Sequence, residues 1–367
     1  MSRPQSQNPA PERSKLLRSW AAVSALFLAL LASVNFAREL HNTVGVLVDF
    51  DGNVHWAGQR ILDGAAAVPD GLTAWPPTAT VFVAPIALFP YWLEVALWVA
   101  ISVSGFLAGL WVVGCRDVRA LIVAVLSPPA LACLLLGNAS LLLAAGVAVV
   151  WANREKRPLM AGIVAGATIA AKLWLWPLFV FLLLARRWLS LAAALAWCAS
   201  SALVWLALSP STLRDFPAWA DRMVAAHIQW GIGLAPTLFD FGLSTRAASV
   251  LALVAGLVVL VPACRIKDEL ALLAVCLASA LVGTPLVWEH YYVVLFVPIA
   301  VAAPRLTPLW FVPYLAGLKL LWPITRMQFI VAGLAALLAT AWVVQSVAKR
   351  SERGPRSAVR VLSPPCR

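Results

Sequence analysis

Charge is what this 367-residue chain has least of: Asp, Glu, Lys and Arg make up 12% of it and apolar residues 62%. A soluble globular domain carries about a quarter charged residues and roughly half apolar ones, so that class is excluded. Segments of ~10 residues with alternating polarity are missing too, which removes an outer-membrane barrel. The cysteines at 115, 133, 198, 264, 276 and 366 predict no disulfide framework on an outer face. No G-x-x-x-x-G-K-[ST] and no dinucleotide fingerprint occurs, so neither a nucleotide motor nor a dinucleotide enzyme is indicated. No long internal repeat is present.

What the chain has is apolar runs, broken by Pro, Gly and small charge clusters. Several approach the ~20 residues that cross a hydrocarbon core. They predict an all-α polytopic membrane protein with twelve spans. These fall at roughly 19–37, 90–113, 118–136, 139–152, 158–171, 174–185, 188–208, 247–263, 270–284, 291–303, 309–321 and 328–347. The run from Trp20 to Phe36 follows Arg13, Lys15 and Arg18. It is too long for a signal-peptide core and has no clear A-x-A exit, so it reads as the first span.

With the N-terminus inside, 20 of the 28 Lys and Arg residues fall on the inner face, as the positive-inside rule requires. The net charge of +12 therefore orients the chain in a membrane and does not indicate nucleic acid. Ten of the sixteen acids fall outside, and none sits at the centre of a span. Transporters and proton-coupled carriers place ionisable groups there, so a flippase or transporter is the weaker alternative.

The chain divides into a disordered cytoplasmic segment 1–18, one membrane-embedded domain 19–348, and a basic, disordered cytoplasmic tail 349–367. Outer loops 38–89 and 209–246 are large enough to build a site. The first holds VDFDGNVHWAGQR (48–60), Trp75-Pro76-Pro77 and an apolar piece too short to span (78–90). In the second, Trp219, Met223, Ala226 and Trp230 follow helical spacing and predict an interfacial helix.

Each candidate has a functional and a structural reading. Asp49 is a general base if partial desolvation lifts its pKa, or a helix cap or solvated loop acid. Asp51 is a second acid that faces away from Asp49 if the segment is helical. Lys172, the one charge between the runs 158–171 and 174–185, grips an anion or snorkels to the interface. His290 orients a phosphate or acceptor, or packs among Trp288, Tyr291 and Tyr292. Asn138 heads a sequon pattern and is a structural turn or a site wall. No cluster has metal-ligand spacing; a divalent ion on Asp49, Asp51 and His55 is a minority reading, and no cofactor is expected.

The order of these pieces carries a resemblance. D-F-x(6)-A-G (Asp49, Phe50, Ala57, Gly58) is followed by Trp-Pro-Pro and by A-P-x-A-L-x-P (Ala84 to Pro90). Next come G-N-A-S (Gly137 to Ser140), Lys172 and W-E-H-Y-Y (Trp288 to Tyr292). From about residue 40 to 305 the chain resembles glycosyltransferase family 87 of the GT-C superfamily.

The resemblance implies a GT-C fold of about twelve transmembrane helices with interfacial helices in the outer loops. It implies a polyprenyl-phosphate sugar donor and a glycolipid or polysaccharide acceptor. The enzyme would work among the lipids of a bacterial inner membrane, with both termini cytoplasmic and the site facing the periplasm. A single sugar would move with inversion, mannose first. Arabinofuranose, or a lipid-linked oligosaccharide polymerase or ligase, are the alternatives. Asp49 matches the family's catalytic acid and His290 its active-site histidine. Lys172 and His290 would meet the donor phosphate, and Trp75, Asn138, Trp288 and Tyr291 would wall the cavity. Asn138-Ala139-Ser140 stands where the family often has Q-x-N, and Tyr291 where it often has a second histidine. These differences bear on the sugar. Oligomeric state is left open.

Overall fold

The computed structural model describes residues 45–64, 75, 77–208 and 210–320, with isolated positions between 30 and 41 and at Trp342. Apart from those positions, the expected first span (19–37), twelfth span (328–347) and terminal segments (1–18 and 349–367) lie outside the described residues. Every regular element among the described residues is helical.

Three helices are long and apolar enough to cross a membrane: Tyr91–Val112, Trp188–Ala207 and Thr245–Arg265. At 1.5 Å per residue, the 22 residues of the first rise about 33 Å, against a core of ~30 Å. Only 28%, 22% and 28% of these spans is buried within the protein, so most of their apolar surface is free to face lipid. Val118–Val125 and Pro128–Leu136 make a fourth if taken as one span bent by 54°. The bend follows from local chemistry. The Ser127 hydroxyl accepts from the Ala130 N–H (3.4 Å), starting a new helix, and Pro128 and Pro129 have no N–H to continue the old one.

The twelve expected spans are not shown. Ser140–Asn153, Pro158–Ala171 and Glu269–Gly283 have 14, 14 and 15 residues, about 21 Å of helix. The segments expected at 174–185, 291–303 and 309–321 break up further. They become Pro177–Leu184, a 3-10 turn Glu289–Leu295 with Phe296–Ala302, and a 3-10 stretch Pro308–Leu320. Prolines 177, 298, 308 and 313 interrupt the α-helical ladder there.

Small residues set how closely the helices pack. A Cβ at Gly162 would lie 2.7 Å from Ala193 Cβ, and one at Gly166 would lie 2.7 Å from Ala194 O; this G-x-x-x-G face docks Pro158–Ala171 onto Trp188–Leu208. Gly109 does the same between Tyr91–Val112 and Ser140–Asn153, where a Cβ would meet Ala145 Cα at 3.0 Å. Helix Glu269–Gly283 is buried along nearly its whole length. At its start, Glu269 pairs with both Arg154 and Arg187, tying three helix ends together.

The segment expected as the first outer loop forms its own cluster against this bundle. Phe50, Val54, Trp75, Ala79, Trp98 and Ala139 are all buried in it. A helix occupies the expected segment as Pro210–His227, with Trp219 and Met223 half-buried and Ala226 exposed; Trp230, also exposed, lies beyond its end in the 3-10 turn Ile228–Trp230. Further along, the Ile232 N–H bonds to Val287 O, which brings the segment expected as the second outer loop to the one carrying His290.

Candidate active site

The site grows from the sharp turn between Pro128–Leu136 and Ser140–Asn153. Gly137 ends the first helix in the left-handed conformation (φ 69°), and a Cβ there would collide with Phe50 Cβ. Only glycine lets the one-turn helix Val48–Phe50 come this close. The Leu47 N–H donates to Leu135 O (2.6 Å), and the Trp98 indole donates to Gly137 O (2.9 Å). Backbone contacts therefore clamp Asp49 beside Asn138.

Asn138 is buried and bridges two charges. Its Nδ2 donates to Asp49 Oδ2 at 2.6 Å. Its Oδ1 accepts from Lys172 Nζ (3.2 Å), from the Ser140 N–H (2.9 Å) and from the Ser140 hydroxyl (2.8 Å). The Ser140 N–H can only donate, which fixes Oδ1 on that side and turns the amide nitrogen to the carboxylate. Asp49 does not cap its helix, because Leu47 holds that position.

Lys172 sits in the break after Pro158–Ala171, with extended backbone (φ −146°, ψ 107°). At 6% exposure it is buried and does not snorkel. Its ammonium lies 4.8 Å from the centre of the Tyr291 ring, a cation–π contact, and Tyr291 stacks on Trp174 at 4.6 Å with planes 5° apart. His290 is 1% exposed, and neither ring nitrogen has a hydrogen-bond partner among the described residues. Its ring lies against Trp288 (5.8 Å) and Tyr291 (4.9 Å), and its carbonyl accepts from the Cys133 thiol (3.7 Å). A buried imidazole without partners has hydrogen-bonding capacity for a bound polar group.

Asp49, Asn138, Lys172, Tyr291, His290 and Trp288 are thus contiguous. Trp75 is not part of that group. It packs on Trp98 behind the Asp49 helix (5.8 Å), and its N–H donates to Asn53, whose amide donates to Asp49 O. Asp51 is separate as well: its Oδ1 accepts from the Tyr91 hydroxyl at 2.8 Å. His55 takes a third partner, Glu94, at 2.8 Å. Asp49, Asp51 and His55 therefore diverge, and among the described residues no group of three or more His, Cys, Asp or Glu is placed to hold a metal.

Three partners went unnoticed in the sequence. Glu94 is the only acid of its 22-residue apolar helix and is buried at 1% exposure. Tyr91 is one of only four tyrosines. Ser140 stands two residues after the asparagine it holds. A lone acid in the first turn of a span is the signal that pointed to Glu94.

The arrangement puts a carboxylate and an ammonium one amide apart, next to an unsatisfied imidazole. Such a set can take a proton from a hydroxyl and hold an anion in the same place. The sequence model of glycosyltransferase family 87 matches residues 74–298. The chain belongs to that family. The match covers Trp75, Asn138, Lys172, Trp288, His290 and Tyr291, whereas Asp49 and Asp51 precede it. No curated protein and no solved structure gives a match. A family 87 member of helical, apolar build is a membrane glycosyltransferase, and its chemistry is transfer of a sugar to an acceptor.

Proposed function

We propose that the chain moves a single sugar, mannose first, from a polyprenyl-phosphate donor to a glycolipid or polysaccharide acceptor. It does so at the periplasmic face of a bacterial inner membrane. The observation that carries this reading is the Asp49–Asn138–Lys172 bridge, which holds a base and a cation on either side of one amide. Asp49 takes the proton from the acceptor hydroxyl as its oxygen attacks the anomeric carbon. The bond from that carbon to the phosphate oxygen breaks with inversion, and the electron pair leaves on polyprenyl phosphate. Lys172 bonds Asn138 with one of three N–H groups, so two remain for the departing phosphate. His290, unpartnered, donates to the same phosphate or positions the acceptor. A lipid-linked donor also suits a site outside the cell, where nucleotide sugars are not available.

The test uses purified protein in lipid, a panel of polyprenyl-phosphate sugars and a bacterial glycolipid extract, with release of polyprenyl phosphate as the readout. Release from one donor is expected, falling by roughly 10²–10⁴ in Asp49→Asn, the usual range for loss of a general base. Release unchanged in Asp49→Asn would remove Asp49 as the base. Release from no donor would overturn the lipid-phosphate reading.

A further inference from the structure

At the end of Tyr91–Val112 remote from Tyr91 and Asp51, about 33 Å along the helix axis, two loops meet (113–117 and 303–307). Asp117 joins them. It caps Val118–Val125 by accepting from the Arg119 N–H (3.1 Å) and binds the Arg119 guanidinium through both oxygens (3.1 and 3.0 Å). It also accepts the Leu306 N–H from the second loop (3.0 Å). The Trp310 indole fixes that loop by donating to Ala303 O (2.9 Å) and Arg305 O (3.0 Å).

Between the loops lies a cleft of about 490 Å³, lined by Gly114, Arg116, Asp117, Arg119, Pro304 and Arg305. Three guanidinium groups face one carboxylate, and Arg119 already engages that carboxylate. Arg116 and Arg305 therefore carry the uncompensated charge. The Arg116 guanidinium carbon lies over the Trp111 ring, 3.8 Å from its centre, and the planar fork of a guanidinium matches phosphate oxygens. The surface next to the cleft is apolar and exposed: Trp111, Val112, Val118 and Ile122. A free phosphate would use only the arginines. A molecule with an anionic head and apolar tails would use both surfaces, and basic pockets between helices at a membrane surface bind lipids of that kind.

We propose that this cleft binds the headgroup of an anionic phospholipid, with its phosphate between Arg116 and Arg305 and its acyl chains along Trp111, Val118 and Ile122. The cleft lies at the end of Tyr91–Val112 opposite the Tyr91–Asp51 contact and does not depend on the sugar or donor proposed above.

Native mass spectrometry of the full chain, titrated with phosphatidylglycerol and with phosphatidylcholine, tests it. The first phosphatidylglycerol should bind more tightly than the first phosphatidylcholine. The preference should fall about thirtyfold in Arg116→Ala/Arg305→Ala, the effect of two basic side chains near a membrane surface. Should the double variant lose its thermal transition, Arg305→Gln alone, at an exposed side chain, is expected to show about a fivefold loss. Equal binding of the two lipids, or phosphatidylglycerol binding unchanged in both variants, overturns the proposal. Displacement of phosphatidylglycerol by millimolar inorganic phosphate also overturns it, because the site would then be one for a soluble anion.

Discussion

Replacing Asn138 with Ala removes a side chain that hydrogen-bonds both charges of the site. The variant loses a 2.6 Å donor to Asp49 and the 3.2 Å acceptor for Lys172, both largely shielded from water. A hydrogen bond to a charged group contributes about 1.5–3 kcal/mol net, so losing the Asp49 bond alone lowers kcat/KM by roughly 10- to 150-fold. A second effect points the same way. Without the amide between them, Asp49 and Lys172 are expected to pair directly. That contact turns the carboxylate from the acceptor, and it occupies the ammonium meant for phosphate. Both kcat and donor affinity should fall. Asn138→Asp separates the two halves of the bridge: it keeps an acceptor for Lys172 and Ser140 but sets a like charge against Asp49. It should lose at least as much activity as the alanine variant. Initial rates of polyprenyl-phosphate release across donor concentrations measure this, with thermal unfolding beside them to show that each variant is folded. A folded Asn138→Ala with kcat/KM within about threefold of wild type would refute the reasoning, since even the smallest bond energy considered predicts a larger loss.

Other residues give further expectations. Gly137→Ala must adopt φ 69° and meets Phe50. It should destabilise the protein by about 3 kcal/mol, from left-handed strain plus overpacking, and abolish activity by displacing Asp49; thermal unfolding and release assays check both. Glu94→Leu leaves His55 without its 2.8 Å partner in a buried setting and should cost about 3 kcal/mol in stability, whereas Glu94→Gln, which keeps a hydrogen bond, should cost less. At the other end of that span, hydrogen bonds from the Arg119 guanidinium, then from the Leu306 N–H, hold the Asp117 carboxyl at about 2. The folded state favours its charged form, so this stabilisation is full above about pH 4 and is lost as pH falls through about 2. The thermal midpoint should therefore drop more between pH 5 and 2.5 in wild type than in Asp117→Asn, where the contribution is absent.

Hydropathy and charge, both read locally, were enough to specify an apolar helical membrane protein, and ordered motifs were enough to point to the family. They also singled out most of the residues that meet: Asp49, Asn138, Lys172, His290 and Tyr291. What they could not supply was the meeting itself. Asp49 lies 89 residues from Asn138, and Asn138 lies 34 from Lys172, so the bridge exists only once the glycine turn at 137 docks on Phe50. Burial of Glu94 against His55, and the place of Trp75 behind the site, were decided in the same way by contacts distant in sequence. The twelve apolar windows have a matching cause. Hydropathy sums over a window and cannot tell a helix that faces lipid from a short one enclosed by its neighbours, as Glu269–Gly283 is. The sequence by itself determined the solvent the chain lives in and the family it belongs to. Only the tertiary structure decided which charges share an amide, because pairing depends on distances that close when separate helices pack.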